Sequence, residues 1–372
     1  MYLNGAVFEN YRNIEHFPFT FDPGINILYG RNAQGKTNVV EGLYLFGSGK
    51  SFRHTREKDL IMTGKDHAQV SISYADSVRE NKMSYRMFRE MTHETFKNGV
   101  KIAKMSDFIG NFKAVLFCPE HLSIVKAEPA VRRGFADSAI SQINRPYLAA
   151  LIEYKHLLEQ RNALLKGYEK QKETFGITME ILSDRLAVCA AYITTERVRY
   201  LSRLFELVND SLSEMTQGAE QASFRYLSGI NGKCAEDFFD LSENTDAYRR
   251  LFSKDVQREI VMGTSLGGAH RDDFEILLNG MNAKFFASQG QQRSLALAMK
   301  LAEGEISKEN TGEYPVFLLD DVLSELDRER KKYVLSELKE RQVILTTCDE
   351  SDFAGISSAN MIYVENGHYS YR

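Results

Sequence analysis

The chain has 372 residues, of which 43% are hydrophobic and 26% are charged, and its 47 Lys and Arg residues face 51 Asp and Glu residues. The formal charge of -4 excludes attraction of the whole molecule to nucleic acid, so any DNA binding needs a local basic surface. No apolar run reaches the ~18 residues of a membrane span, and no signal-peptide pattern opens the chain, so we expect a cytoplasmic protein with no membrane partner.

Short β-type runs dominate the first third of the sequence. They cover residues 3–8, 17–21, 25–29, 69–74 and 114–117. A helix-like segment runs from Lys36 towards Phe46, directly after the third run. Polar turns separate the runs, which predicts that they are strands.

A phosphate-binding loop follows the third predicted strand. It reads Gly30-Arg31-Asn32-Ala33-Gln34-Gly35-Lys36-Thr37, which fits G-x-x-x-x-G-K-[ST] between a strand and a helix. In such a loop, glycines let backbone N–H groups face phosphate oxygens, and the following helix points its N-terminus at them. Lys36 would neutralise the β- and γ-phosphates, and Thr37 would ligate Mg²⁺. The sequence thus predicts ATP and Mg²⁺ as ligands, held by residues 30–37 together with Asn38.

The middle of the chain is helical in pattern. Between 146 and 204, apolar residues recur at spacings of three and four, interrupted at Arg161 and Glu196. We predict a short antiparallel helical hairpin with a turn near 167–176 and arms of about 25 residues each. This hairpin would belong to a helical lobe over 119–261, inserted into a head formed by 1–118 and 262–372.

Two acids end a buried-strand run near the C-terminus. Residues 316–319 are apolar and lead into Asp320 and Asp321, a pattern typical of a metal-binding strand in phosphoryl-transfer proteins. Asp320 would hold Mg²⁺ directly or through water, as a second metal residue beside Thr37. Asp321 would orient or deprotonate the attacking water.

A glycine-containing segment opens the preceding helix. Ala287-Ser288-Gln289-Gly290-Gln291-Gln292-Arg293 resembles the signature of ABC-type ATPases, and Ser324 to Asp327 resembles their D-loop. This resemblance implies that Ser288, Gly290 and Gln291 contact a nucleotide held by another subunit. The strand at 342–346 leads to Thr347 and Cys348, where the switch histidine of that family is missing, and the switch residue stays unassigned.

The chain as a whole resembles the RecF family of ABC and SMC-like ATPases. The matching stretches are Asn10 to Asn13, 30–37 with 50–53, Pro119-Glu120 with Arg132-Arg133, 268–273 and 319–327. Ala33 and Ala269 depart from the family's common Gly and Pro. The resemblance implies an α/β, ABC-type P-loop head with an inserted, mainly helical second lobe. It also implies an ATP-dependent homodimer on DNA at gaps or single-strand/double-strand junctions, which assists RecA loading with RecR and, in many bacteria, RecO.

Basic residues concentrate in two windows. Residues 31–65 hold seven Lys or Arg against three Asp or Glu, and 126–172 hold nine against five. Predicted phosphate contacts to DNA are Lys50, Arg53, Arg56, Lys58, Lys65, Arg132 and Arg133, which would give affinity without sequence preference. Two alternatives stay open nearby: Arg271-Asp272 is a DNA-facing pair or an internal one, and His270 packs inside the protein or lines the nucleotide site.

The predicted mechanism is a slow, DNA-stimulated ATPase. The catalytic residues would be Lys36, Asp320, Asp321 and Ser288, and Asp321 is one methylene shorter than the Glu usual at the base position. ATP binding would close a head-to-tail dimer on DNA, and hydrolysis would release it. The alternatives are an ATP-gated DNA clamp with incidental hydrolysis, a transporter ATPase subunit and a chromosome-organising SMC head.

Overall fold

A computed structural model describes residues 1–53, 55–170, 172–230, 234–349, 356 and 358–372. The strands are β1 Tyr2–Tyr11, β2 Ile14–Thr20, β3 Ile25–Tyr29, β4 His67–Ala75, β5 Glu80–Phe88, β6 Glu94–Lys97, β7 Val100–Ile102, β8 Ala114–Phe117, β9 Ala222–Leu227, β10 Asp273–Leu278, β11 Met281–Asn282, β12 Val316–Asp320, β13 Val343–Thr347, β14 Asn360–Glu365 and β15 His368–Tyr371. The α-helices are α1 Lys36–Ser48, α2 Met105–Phe108, α3 Pro129–Ile143, α4 Arg145–Lys166, α5 Lys172–Thr216, α6 Leu241–Lys254, α7 Val256–Met262, α8 Ala283–Phe286, α9 Gln289–Thr311 and α10 Arg328–Glu337. Within these ranges, no helix combines the length and apolar character needed to cross a membrane.

The chain divides into two compact units. The first is Met1–Ser123 with Gln289–Arg372, and the second is Ile124–Ser288. The chain therefore re-enters the first unit at Gln289, later than the predicted residue 262. The reason is strand pairing: β10 pairs with β9 and β11, so the segment after α7 completes a three-stranded sheet of the second unit. The first boundary also lies at Ser123 rather than at 118.

A mainly parallel sheet forms the base of the first unit. Its order is β15-β14-β3-β13-β12-β8, and each neighbouring pair from β14 to β8 is parallel. The strands β8, β12 and β13 are buried along their whole length, as expected of strands covered on both faces. The carboxyl ends of β3, β12 and β13 meet at one edge, where parallel sheets bind their ligands.

An antiparallel sheet completes this unit. Its order is β2-β1-β4-β5-β6-β7, and β4 and β5 alternate buried with more exposed residues, so one face is buried. Helix α1 contacts strands of both sheets. The shared core contains Phe8, Leu43, Tyr74 and Leu318, each with no exposed surface.

The second unit is mainly helical. Helices α4 and α5 contact each other and form the predicted hairpin, but α5 has 45 residues instead of about 25. Gly176 lies inside α5 rather than in the turn. A single helical glycine costs only about 1 kcal/mol, and Phe175 and Met179 on either side of it pack against Leu164 and Leu165 of α4. The α/β fold class with an inserted, mainly helical unit is as predicted.

Arg161, which interrupts the apolar stripe of α4, is fully buried. Its guanidinium forms an ion pair with Glu259 at 2.7 Å and donates to Ser265 Oγ and to the Phe252 carbonyl. The charge on the predicted seam is therefore a satisfied internal ion pair.

Candidate nucleotide-binding site

The loop between β3 and α1 has the backbone of a phosphate cradle. Gly30 and Gly35 have φ values of 149° and 116°, and Ala33 has a φ of 64°. A Cβ at Gly30 would lie 2.2 Å from the Val364 carbonyl oxygen. Glycine is thus required at Gly30 by both conformation and space, and the loop lies directly against β14.

The turn between β14 and β15 fixes the loop from outside. The amides of Asn366 and Gly367 donate to the side-chain and main-chain oxygens of Gln34, at 2.5 and 3.1 Å. Asn13 Nδ2 donates to the same Gln34 carbonyl at 3.0 Å. Gln34, one of the predicted nucleotide contacts, is therefore also the residue through which the turn holds the loop.

Lys36 is buried at the start of α1. Its Nζ donates to the carbonyls of Gly30 and Arg31 at 2.6 and 2.9 Å. Burial lowers the pKa of Lys36, while the charges of Asp320 and Asp321 oppose that shift. The ammonium therefore lies inside the loop and close to the carboxylates that end β12.

Thr37 and Asp320 meet across the sheet edge although 283 residues separate them in sequence. Thr37 Oγ1 donates to Asp320 Oδ1 at 2.9 Å, and Thr346 Oγ1 donates to the same oxygen at 2.8 Å. Burial raises the pKa of Asp320, and the two hydroxyl donors oppose that shift.

The Thr37 hydroxyl and the Asp320 carboxylate, at hydrogen-bond distance, form a pair of oxygen ligands that suits Mg²⁺. This ion takes few protein ligands and completes its coordination shell with water and phosphate oxygens. Among the described residues, no cluster of three or more His, Cys, Asp or Glu offers an all-protein metal site. The residues present therefore fit Mg²⁺ bound together with a nucleotide.

Asp321 is held at a sharp bend after β12. Its φ is 51°, and its amide donates to the Thr346 carbonyl and to Thr346 Oγ1, at 3.2 and 3.0 Å. The Ser324 hydroxyl donates to the Asp321 carbonyl at 2.7 Å. Thr346 thus positions both acids, a role that the sequence did not indicate, because residues 342–346 read only as an apolar strand.

Several residues near the N-terminus also belong to this site. Arg12 forms two hydrogen bonds with Glu41 of α1, at 2.8 and 2.9 Å, and Asn38 Nδ2 donates to Asn13 Oδ1 at 2.7 Å. The only signal for Arg12 and Asn13 was their place in the Asn10 to Asn13 stretch. No sequence signal pointed to Glu41, because an acidic residue on a predicted helix is expected to be solvated.

Arg53 was predicted to contact DNA. The structure places its Nη1 3.2 Å from Asn38 Oδ1, and its positive charge lowers the pKa of Asp320 against the effect of burial. This placement favours a role at the nucleotide site over membership of a separate DNA surface.

The part of the signature segment that lies in the first unit, from Gln289 onwards, is joined to the D-loop segment. Helix α9 begins at Gln289, one residue after Ser288. Arg330 donates to the Gly290 carbonyl and to Ser294 Oγ, both at 2.9 Å, and is ion-paired with Asp327. A displacement of the D-loop would therefore be transmitted to the start of α9.

The remaining predicted DNA contacts separate into two groups. Arg132 is buried, with a bidentate ion pair to Asp273 at 2.6 to 2.8 Å, so its assignment to DNA is wrong. Arg133 is half-buried and donates to the Asp272 carbonyl at 2.5 Å, so its guanidinium also bonds inside the protein. Exposed positions are occupied by Lys50, Arg56, Lys58 and Lys65.

The His270 to Asp273 segment forms a polar core in the second unit. Asp272 is buried and accepts hydrogen bonds from Thr194, Ser228, Tyr226 and Tyr248, at 2.7 to 3.1 Å. Asp272 therefore does not form the internal pair with Arg271, and the internal ion pair of this block is that of Asp273.

His270 packs inside the same unit, with its Nδ1 2.7 Å from the Tyr154 hydroxyl. This contact favours the packed interpretation of His270 over a place at the nucleotide site.

Comparisons with known proteins cover the whole chain. A model of the RecF/RecN/SMC N terminal domain family matches residues 2–370. The DNA replication and repair protein RecF of Geobacillus thermodenitrificans is 38% identical over 353 residues, covering 93% of this chain and 92% of the relative. The protein of the same name from Clostridium novyi is 37% identical over 346 residues, with the same coverage.

Solved structures give the same result. The recombination mediator protein RecF in the RecFOR pathway, as RecF-ATP, has a TM-score of 0.92 and 31% identity, with 100% of this chain and 97% of that chain covered. The Smc head domain of Pyrococcus furiosus has a TM-score of 0.57 at 17% identity and covers 100% of this chain and 96% of that one, which shows a shared fold.

Proposed function

Because the chain belongs to the RecF family of ABC and SMC-like ATPases, we propose that it is a recombination mediator that binds DNA under the control of ATP. ATP binding closes two copies head to tail on DNA at gaps or single-strand/double-strand junctions. Slow hydrolysis reopens them. The dimer assists RecA loading together with RecR and, where present, RecO.

The observation that carries this proposal is the contact of Thr37 with Asp320 beside the phosphate loop. It joins the loop of β3 to the acid end of β12, and it supports a metal site built from these two oxygens beside the phosphate loop. A glycine turn with a purely structural role would need neither the acid nor the lysine.

Each residue of the site has a defined task. The backbone of 30–35 offers N–H groups to phosphate oxygens, and Lys36 supplies the fixed positive charge. Thr37 and Asp320 would hold Mg²⁺. When bound, ATP and Mg²⁺ supply the scissile phosphoanhydride and the neutralisation of its charge. Asp321 follows Asp320 directly in sequence and acts on the attacking water, either by orienting it or by taking its proton.

Closure of the dimer needs contacts that only the ATP-bound state makes. A nucleotide with equal affinity for the open and closed states would shift no population. Ser288 is exposed in front of α9 and would reach the phosphate held by a second copy. The links from Arg330 to Gly290 and Asp327 would pass that contact to the D-loop.

The DNA surface of the first unit would include the exposed Lys50, Arg56, Lys58 and Lys65. These side chains would contact phosphates, so affinity would fall steeply with salt and would not depend on sequence.

The first test compares wild type with Asp320→Asn. We expect wild-type turnover below about one ATP per second, at the lower end of ordinary enzymes, stimulated by gapped duplex DNA. Asp320→Asn should lower turnover at least about a hundredfold, since the acid that would hold the metal is lost. Turnover of many ATP per second without DNA would contradict the proposal.

A second candidate is an ATP-gated clamp in which hydrolysis is incidental. The short Asp321 side chain at a tightly held bend favours it. Anisotropy of a labelled gapped duplex separates the two functions: an Asp320→Asn protein that still loads and releases DNA normally would establish the clamp, whereas one that stays on DNA would support release by hydrolysis.

A further inference from the structure

A cavity of about 600 Å³ lies on the solvent-facing side of the antiparallel sheet, between β2 and β6. We call it the sheet cavity. Sites for small molecules typically have volumes of about 300 to 1,000 Å³, so this cavity has room for a small ligand. It is lined by residues of the first unit, and its described lining shares no residue with the phosphate loop.

Small residues form the floor of the sheet cavity. Gly5 lies opposite Ser73 in the register of β1 with β4, and Ser71 lies opposite Ser84 in the register of β4 with β5. A Cβ at Gly5 would lie 2.7 Å from the Phe19 carbonyl oxygen, so a larger residue would need a shift of β2. Four neighbouring positions without long side chains therefore leave a depression whose floor carries three hydroxyls.

A β-bulge adds a polar side chain at one end of this floor. The register of β1 against β4 shifts between Leu3 and Gly5, so Asn4 is an extra residue in β1. Bulges redirect side chains and are frequent beside functional sites. Asn4 is exposed and lines the cavity, so the bulge brings an amide to the hydroxyl floor.

The charge of the sheet cavity is positive. Of the described residues that line it, Lys82 and Arg86 carry charge and none is acidic. They lie four residues apart on β5, a distance of about 13 Å at about 3.3 Å per residue. Glu94 lies opposite Arg86 in the register of β5 with β6, but its carboxylate accepts from Lys101 Nζ at 2.6 Å. An anion in the cavity would therefore meet two cations and no carboxylate among the described lining residues.

Arg86 is held in position for such an anion. Its Nε donates to Gln69 Oε1 at 2.5 Å, and its guanidinium carbon lies 4.9 Å from the centre of the Phe96 ring. Phe96 lies opposite Ser84, so the guanidinium is directed towards the floor of the cavity. With Nε engaged, the two terminal nitrogens can donate parallel hydrogen bonds to one oxyanion.

We propose that the sheet cavity binds a small organic phosphate. The phosphate oxygens would accept from Arg86, Lys82 and the serine hydroxyls, because a phosphate group offers three strong acceptor oxygens. The carbon portion would lie against Val7 and Phe96, which are apolar residues of the lining. This site is separate from the phosphate loop, so the inference does not depend on the proposed function.

A nucleic acid strand fits these features less well. Proteins that bind single strands stack bases on aromatic rings, whereas one face of the Phe96 ring is covered by the Arg86 guanidinium and the side chain is half-buried. The volume also favours a ligand that ends within the cavity over a chain that continues beyond it.

Calorimetric titration with inorganic pyrophosphate tests the site directly. The Lys36→Met protein serves as the reference, because its phosphate loop lacks the lysine that would bind phosphates. We expect saturable binding that Arg86→Gln and Lys82→Gln, each added to Lys36→Met, weaken at least about tenfold through loss of a charge-assisted hydrogen bond. Lys104→Gln, at an exposed position outside the cavity lining, is the matched control and should leave the affinity unchanged. Absence of binding, or equal affinity in all four proteins, would overturn the inference.

A further variant separates the cavity from its charge. Ser84→Leu keeps both cations but fills the floor, so pyrophosphate binding should be lost while the thermal midpoint is retained. Ser370→Leu, at an exposed position of β15, is the control and should bind like the reference. Full binding by Ser84→Leu would refute the inference. An oligothymidylate that binds through Arg86 and Lys82 when pyrophosphate does not would also refute it, because the surface would then be a DNA contact.

Discussion

At the residue scale, burial decides the protonation state of His270. The Tyr154 hydroxyl and the charges of Arg271 and Arg133 surround it. Burial lowers the pKa of His270 to about 4, and the two positive charges add to this effect. In the unfolded chain, a histidine titrates near 6.5. The native state therefore binds this proton less readily than the unfolded chain, so the free energy of unfolding should fall as pH drops from about 6.5 towards 4, by up to about 3 kcal/mol.

His270→Gln should reduce this pH dependence, because glutamine keeps a polar side chain but does not titrate. Urea midpoints at pH 4.5 and pH 7 should lie closer together in the variant than in wild type. His156→Gln, at an exposed position beside Gln160, is the control and should retain the wild-type difference. Equal differences in all three proteins would show that His270 does not sense pH.

The same scale shows why some residue assignments were wrong. Arg132 counted towards the basic excess of its window, since composition cannot tell a free cation from a paired one. Its partner Asp273 lies 141 residues away in sequence, and nothing local predicts that pair. The loop residues 30–37 could be assigned because their function follows from adjacent positions.

At the scale of elements, the β14–β15 turn braces the phosphate loop. Asn366 and Gly367 have φ values of 49° and 77°, typical of a two-residue hairpin turn, and a Cβ at Gly367 would lie 2.6 Å from the Asn13 carbonyl oxygen. This contact could not be predicted either, since Gln34 and Asn366 are 332 positions apart in sequence. The length of α5 differs from the prediction for the opposite reason, because the packing around Gly176 outweighs the local helix-breaking tendency of glycine.

Gly367→Ala should weaken ATP binding at least about tenfold, a change of about 1.4 kcal/mol, because the turn must move away from Gln34. The control is Gly280→Ala in the β10–β11 turn, where φ is 78° and no atom would lie within 4 Å of a Cβ. Gly280→Ala should lose about 1 kcal/mol of stability to the left-handed backbone, and Gly367→Ala should lose more because its Cβ also meets the Asn13 carbonyl oxygen. Titration of a fluorescent ATP analogue would show equal affinities if the turn had no role in the site.

At the scale of the whole molecule, the two units have different tasks in the proposed cycle. The first unit collects Lys36, Thr37, Asp320 and Asp321 at one sheet edge, and the second begins at Ile124 and ends at Ser288, where the signature starts. The sequence predicted this insertion, but the late return of the chain to the first unit depends on the pairing of β9 with β10, which no local pattern reports.

In the proposed cycle, ATP bound at the phosphate loop joins two copies of this chain on DNA. Size-exclusion chromatography with light scattering, on wild type and Lys36→Met, with and without ATP and Mg²⁺, tests it most directly, and anisotropy of a labelled gapped duplex is recorded on the same samples. We expect wild type to pass from monomer to dimer and to gain DNA affinity only with ATP, and Lys36→Met to do neither. A wild-type protein that stays monomeric with ATP and binds no DNA would contradict the account.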